Sequence, residues 1–275
     1  MDHRNQDTNT NEKVQNRSSR KSLKPRPRSG INRCIAVLSG KGGVGKSLVT
    51  GLLAVSLVDK GLKVGILDAD ITGPSIPKMF GLRERACLVG CNLWPAITRR
   101  GIKVMSLNLL LDNEEDPVVW RGPLITKAIQ QFWEQVLWGK LDYLLIDLPP
   151  GTADASLTVV QCIPLYGVVI VASPQELAVM IVKKAIRMVE HINIPILGLI
   201  ENMSYAVCPK CGERLELFGN SRAEEISASM GITLLGKLPL DSRISQLCDA
   251  GEIEKYRDSS FEKVAEHFIS GFTPR

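Results

Sequence analysis

From Ile31 onward, short and nearly unbroken apolar runs alternate with longer segments whose apolar residues recur every three or four positions. The runs at 31–38, 63–67, 102–107, 143–147, 167–172, 195–200 and 232–237 read as strands. The segments at about 47–60, 123–138, 175–191, 221–230 and 258–272 read as helices, the first ended by Gly61. Strands that are apolar on both faces must be covered on both sides. The alternation therefore predicts an α/β fold, a doubly wound, mostly parallel sheet with helices on both faces. With no internal repeat and no second boundary, residues 31–275 read as one domain.

Residues 1–30 break the pattern. They are polar and end in a Pro/basic linker, Lys24-Pro25-Arg26-Pro27-Arg28-Ser29-Gly30. A stretch with so little apolar surface cannot offset the entropy of ordering itself, and it reads as a disordered basic tail. Its eight Lys/Arg and three Asp/Glu give a net +5, which is also the net charge of the whole chain. The remaining 245 residues balance at 26 of each sign. No specific nucleic-acid binding is therefore expected of the folded body. The tail reads as solvated, with weak contact to an acidic partner, RNA or anionic lipid as the other reading.

Composition then narrows the class. A 44% apolar content supports a sizeable core. Seven cysteines in 275 residues do not suggest a secreted disulfide framework. No run of about 18 apolar residues predicts a transmembrane helix. The N-terminus also lacks the apolar stretch of a secretory signal, so a cytoplasmic location is expected.

The chemistry begins between the first strand and the first helix. Gly40-Lys41-Gly42-Gly43-Val44-Gly45-Lys46-Ser47 matches G-x-x-x-x-G-K-[ST], the phosphate-cradling loop. Its glycines let backbone N–H groups crowd against phosphate oxygens, and the helix that follows points its positive end at the same anion. Lys46 adds a point charge, and the Ser47 hydroxyl is placed to ligate Mg²⁺. A glycine-rich turn can also be only a tight connection. A full match between a strand and a helix points instead to a nucleotide site.

Acidic residues at strand ends extend this site, because such sheets bind ligands at the carboxyl ends of their strands. Asp68 and Asp70 follow the second strand, and Asp147 closes Leu144-Leu145-Ile146. An apolar run ending in Asp is the arrangement that holds Mg²⁺ directly or through water. Any one of the three could be a helix cap; three at matching strand ends favour the metal and water roles.

Lys41 is a second lysine that an ordinary phosphate loop does not need. With it, the loop resembles that of the dimeric deviant-Walker ATPases, which include the nitrogenase iron protein, MinD, ParA and the Mrp/ApbC-type carriers. Further segments resemble the Mrp/ApbC branch in particular. These are Asp68-Ala69-Asp70-Ile71-Thr72-Gly73-Pro74-Ser75-Ile76-Pro77, Trp120-Arg121-Gly122-Pro123, Asp147-Leu148-Pro149-Pro150-Gly151-Thr152, Glu201-Asn202-Met203-Ser204-Tyr205 and Cys208-Pro209-Lys210-Cys211. The resemblance spans about 34–256 and implies a P-loop ATPase. It implies that Lys41 reaches a partner's nucleotide across a homodimer, that Asp70 orients the attacking water, and that Asp68 lies near the Mg²⁺ shell. It further implies that 147–152 senses the γ-phosphate and that Asn202 reads adenine, hence ATP. Gly151 could there present its backbone N–H to the phosphate. Leu48 departs from the threonine of many relatives, and the tail lacks the cysteine cluster that some eukaryotic relatives carry.

Cys208 and Cys211 lie in a polar loop at 205–216, spaced so that two thiolates can face one metal. One chain supplies only this pair; Cys87 and Cys91 are a poorer knuckle among apolar neighbours. A two-fold dimer supplies four thiolates, and the family resemblance implies a [4Fe–4S] cluster shared by two subunits. A half zinc site and a redox dithiol stay open, although a thioredoxin-like dithiol needs a following helix that this loop lacks. Cys34, Cys162 and Cys248 read as small core residues. His3, His191 and His267 fit no ligand spacing.

Three functions compete. An ATP-dependent iron–sulfur carrier, receiving a cluster from a donor and passing it to apo-proteins, accounts for both loop and cysteines. A MinD/ParA-like positioning ATPase would need a membrane or DNA surface. The stripe Phe261, Val264, Ala265, Phe268 and Ile269 of the last helix could be such an anchor, but its other face lacks basic residues, and core packing explains it better. A small-molecule synthetase or kinase leaves the cysteines unexplained.

Overall fold

The computed structural model describes residues 30–70, 75–83, 87–89, 92–110, 122–151, 156, 159–160, 162–175 and 179–271. The tail reading at 1–29, Ile71–Pro74, Cys91, Trp120, Arg121 and Thr152 lie outside the described residues.

Along the chain β1 (Ile31–Ser39) leads into α1 (Lys46–Asp59), β2 (Val64–Asp68), the short α2 (Ile76–Met79) and the hairpin β3 (Cys87–Val89) and β4 (Asn92–Trp94). β5 (Ala96–Ile97), β6 (Lys103–Ser106), α3 (Gly122–Gln135), β7 (Leu141–Asp147), β8 (Gly167–Ala172) and α4 (Val179–His191) follow. The chain ends with β9 (Ile196–Val207), β10 (Arg214–Leu215), α5 (Ala223–Met230), β11 (Leu234–Pro239), α6 (Ser242–Asp249) and α7 (Ser259–Ser270).

The main sheet runs β11-β9-β8-β1-β7-β2-β6-β5. All of these pair in parallel except β5, which runs antiparallel to β6 at the edge. β10 pairs antiparallel with the end of β9. This is the expected doubly wound α/β sheet. Central strands are buried along almost their whole length, Val64–Asp68 without exception, as strands covered on both faces must be.

The register matters more than the order. Val37 and Asp68 both stand opposite Asp147, and Asp68 stands opposite Ser106. The carboxyl ends of β1, β2 and β7 therefore emerge together. Helix α1 starts from that edge and is apolar almost all round, with Leu52, Leu53 and Leu57 each at most 2% exposed, because it is enclosed between the sheet and α7. Truncating one such leucine to alanine costs about 2–5 kcal/mol.

Phe261, Val264, Ala265 and Phe268 of α7 are all at most 3% exposed, and Phe268 packs on Tyr143 with ring centroids 5.5 Å apart. That stripe is core.

Three elements differ from the sequence expectation. β9 continues through Val207 rather than stopping near 200, with Met203 taking a left-handed backbone (φ 58) inside it. α3 stops at Gln135, where Leu137 donates its N–H to the Leu93 carbonyl (2.9 Å) instead of continuing the helix. α6 went unread, being too short for a periodic signal.

Candidate nucleotide and thiolate sites

The phosphate loop is held open by its backbone. Gly45 is the left-handed N-cap of α1 (φ 79), and a Cβ there would lie 2.3 Å from Asn202 Nδ2. Glycine is required for both reasons. Asn202, 2% exposed, donates from Nδ2 to the Val44 carbonyl at 2.9 Å. It thus clamps β9 to the loop.

Lys46 is 5% exposed; its Nζ lies 2.8 Å from Asp147 Oδ1 and 3.7 Å from Asp70 Oδ2. Asp147, fully buried, also accepts from Ser47 Oγ at 2.5 Å and from Thr50 Oγ1 at 3.0 Å. Thr50, near the start of α1, is a second hydroxyl donor that holds Asp147 from the helix side, and sequence reasoning passed over it. One turn of helix after Lys46 was the available signal. Asp68, 1% exposed, accepts from Ser106 Oγ (3.1 Å) and from the Asp70 N–H (3.2 Å). Burial pushes its carboxyl well above the usual range, the Asp147 charge pushes further, and Lys46 opposes both. Burial raises Asp147 as well, with Lys46 and the hydroxyl donors pulling it back. The floor of the site thus gathers three buried carboxyl groups, Asp68, Asp70 and Asp147, around one buried cation, Lys46.

Two expected residues sit differently. Gly151 does take the positive φ (88) that only glycine adopts readily, yet its N–H donates to the Ser39 carbonyl at 2.9 Å. In this arrangement that donor ties 147–151 to the loop rather than facing a ligand. Lys41 is exposed on the loop, and among the described residues it enters no ion pair. Gly40, Gly42 and Gly43 complete the turn beside it.

The loop floors a cleft of about 570 Å³. Lys41, Gly42, Gly43, Gly45, Lys46, Ser47 and Asp70 line one side, and Asn202 and Met203 another. The far wall was not anticipated. It is Pro239, Leu240, Asp241, Ile244, Ser245 and Cys248, from the end of β11 and from α6. Asp241 caps α6 by accepting from the Arg243 N–H at 2.9 Å. An aspartate just after an apolar strand was the signal for that helix start.

The second site lies at the far end of β9. Cys208 follows Val207 directly, and the chain turns back as a knuckle: the Cys208 N–H donates to the Glu213 carbonyl and the Gly212 N–H to the Cys208 carbonyl, both at 2.9 Å. Gly212 has φ 75. Backbone N–H groups of Cys211 and Lys210 face the Cys208 sulfur and lower its pKa. Cys211 is exposed, and neither thiol is in a disulfide. No helix follows, as expected for a metal knuckle and against a thioredoxin-like dithiol. Val207, Leu215, Leu217 and Phe218 beside it are 37–57% exposed. By contrast, burial pushes the Cys34 thiol up to about 12. Among the described residues, no group of three or more His, Cys, Asp or Glu could hold a metal. Among the described residues, Cys208 and Cys211 therefore have no third such group beside them.

A phosphate loop after the first strand of a parallel sheet, with Lys46, Ser47 and Asp147 joined at its floor, defines a P-loop NTPase. The comparisons make the class specific: the chain belongs to the ParA-group family described as NUBPL iron-transfer P-loop NTPase, whose model matches residues 30–272. It is 49% identical over 247 residues to the iron-sulfur cluster carrier protein of Methanocaldococcus jannaschii, covering 88% of this chain and 85% of that one. It is 44% identical over 225 residues to the iron-sulfur cluster transfer protein NUBPL of Dictyostelium discoideum, covering 81% and 69%. A nucleotide-binding protein from Archaeoglobus fulgidus, solved with ADP, superposes with a TM-score of 0.77 at 49% identity, over 85% of this chain and 92% of that one. The cell-division ATPase MinD of Pyrococcus furiosus shares the fold, with a TM-score of 0.62 at 21% identity over 87% and 99%. Among the described residues, no helix is long and apolar enough to cross a membrane.

Proposed function

We propose that this chain is an ATP-hydrolysing iron–sulfur cluster carrier that binds a [4Fe–4S] cluster between two copies of itself and passes it from a donor to apo-proteins. The observation that carries the reading is β9. Asn202 clamps the phosphate loop, Met203 lines the cleft, and four residues after Met203 the same strand ends at Val207, directly before Cys208. A change at the loop therefore has a short, stiff route to the thiolates.

Each half follows from its chemistry. In the cleft, the loop N–H groups and Lys46 hold the phosphates, and the apolar wall at Pro239 and Leu240 suits a base. Mg²⁺ fits the buried carboxyl groups of Asp68, Asp70 and Asp147, which Lys46 alone does not balance. Ser47 would hold it, with Asp147 behind Ser47 and Asp68 in the outer shell. When bound, it would neutralise charge on the phosphates. Asp70, within reach of Lys46, orients the water that attacks the γ-phosphorus, the products being ADP and phosphate. Lys41, exposed at the mouth, serves the partner's nucleotide, as an arginine finger does. At the hairpin, two chains give four thiolates, and the apolar side chains around Cys208 suit burial against a second copy.

ATP turnover should be readily measured in the wild type and lost in Lys46→Ala. Chromatography with light scattering should show two chains per particle when the cluster is bound. A cluster-loaded monomer would overturn the shared site, and zinc without iron in anaerobically purified protein would replace the cargo.

A further inference from the structure

The end of the sheet opposite the nucleotide cleft holds a feature that the proposed function leaves unused. A hollow of about 430 Å³ opens there between the starts of β2, β6 and β7. Lys63, Arg100, Lys103 and Lys140 line it, with Val58, Leu62, Val64 and Leu141 as its apolar part, and no carboxylate is among its lining residues.

The nearby acids are already engaged. Asp59 pairs with Arg100 and Arg257. Asp142 accepts from the Lys63 N–H at 2.8 Å and from Asn32 Nδ2 at 3.3 Å. Glu254 accepts from Thr98 Oγ1 at 2.6 Å.

The cations are left under-compensated. Arg100 Nη1 is buried and, among the described residues, has no hydrogen-bond partner. An orphaned guanidinium N–H is costly to leave unmade. Among the described residues, Lys103 Nζ bonds to a carbonyl alone, that of Trp138, at 2.5 Å. Burial, and then the charge of Lys63, lower the Lys103 pKa, so the lysines repel one another across the hollow. Gly30 lies against the Lys140 side chain, 3.3 Å from its Cγ to a Cβ placed on Gly30. The net +5 of the preceding segment is therefore attached at this same end.

We infer that this hollow is a second anion site, which binds a phosphate group through Lys63, Arg100, Lys103 and Lys140. The planar guanidinium and the three ammonium groups match the several oxygens of a phosphate, and the apolar wall accommodates a short organic body attached to it. The body's even charge balance had argued only against a nucleic-acid-binding face; the fold gathers cations into one place that a count along the chain does not reveal.

Titration calorimetry of the full chain with pyrophosphate tests this, with ADP and Mg²⁺ present in excess to fill the nucleotide cleft. The wild type should bind one pyrophosphate. Lys63→Ala/Lys140→Ala, at two exposed positions outside the nucleotide machinery, should weaken that binding by about tenfold or more while ATP turnover stays unchanged. Lys103→Met should do the same from inside the hollow. Vesicles of phosphatidic acid in phosphatidylcholine, read by flotation, separate the two sources of the phosphate. Loss of flotation in the double variant together with weak pyrophosphate binding identifies a lipid headgroup, and tight pyrophosphate binding without flotation identifies a free phosphate. No binding of either, or binding that the variants leave unchanged, overturns the site.

Discussion

The nucleotide cleft and the cysteine hairpin sit on one strand and follow opposite designs. The floor of the cleft is built within one chain: Lys46, Asp68 and Asp147 are buried, and the polar groups around them are paired with one another. The hairpin is half a site. Its thiols are accessible, its flanks expose apolar side chains, and among the described residues it offers two of the four thiolates that the proposed cluster needs. A rigid, prepaid cleft suits a ligand that must be held in one geometry. An exposed, incomplete hairpin suits a cargo that must enter and leave. Lys41 belongs with the second kind, lying on the loop yet exposed.

Disturbing the finished half should have the largest consequence. Lys46→Ala strands Asp147 without its cation. Unfolding in urea should show a loss of about 3–5 kcal/mol at neutral pH, and ATP turnover should fall at least about 10²-fold. Retained turnover would mean that the cleft is not organised around this lysine. Lys41→Ala separates the two designs. Turnover should fall about 10³-fold, while urea stability stays within about 0.5 kcal/mol and ADP affinity changes little. Unaltered turnover would remove the case for a contribution across a dimer.

Smaller effects follow from the ionisable groups. The folded pKa of Asp68 lies above its unfolded value of about 3.9. Between those two values the folded state keeps a proton that the unfolded state has lost, so this contribution to stability falls as pH rises. Relative to Asp68→Asn, the wild type should therefore lose stability from about pH 4 upward, by at most about 1.4 kcal/mol per pH unit. Urea midpoints measured from pH 4 to 8 check this, and a difference that grows in the other direction refutes the assignment. Least disruptive is thiol labelling. With iodoacetamide at pH 7, Cys208 should be alkylated at least tenfold faster than Cys34, since only the thiolate reacts and burial holds Cys34 protonated.

How much of this was legible along the chain follows the same division. The finished half was read almost completely, because phosphate loops and strand-terminal aspartates are local signals set by backbone geometry. The cleft's far wall escaped, since Pro239–Asp249 reaches the loop only through the β9–β11 pairing, about 200 residues away in sequence. Asn202 was singled out for the base, but its visible contact is with the Val44 carbonyl, which no spacing reveals. Gly151 was expected to turn its N–H toward the phosphate, and its hydrogen bond to the Ser39 carbonyl depends on a tertiary position that the sequence does not reveal. The cysteine pair was evident from spacing, but the length of β9 that carries it was not: the apolar run ends at Ile200, and the strand continues through the more polar 201–207.

The central claim is that two hairpins complete one cluster, and cysteine removal tests it most directly. Anaerobic reconstitution with iron and sulfide should give the wild type about four iron per two chains and a brown cluster absorption. Cys208→Ala/Cys211→Ala should keep its ATP-binding cleft and its fold but bind no cluster. A full complement of iron and sulfide in that variant would contradict the account.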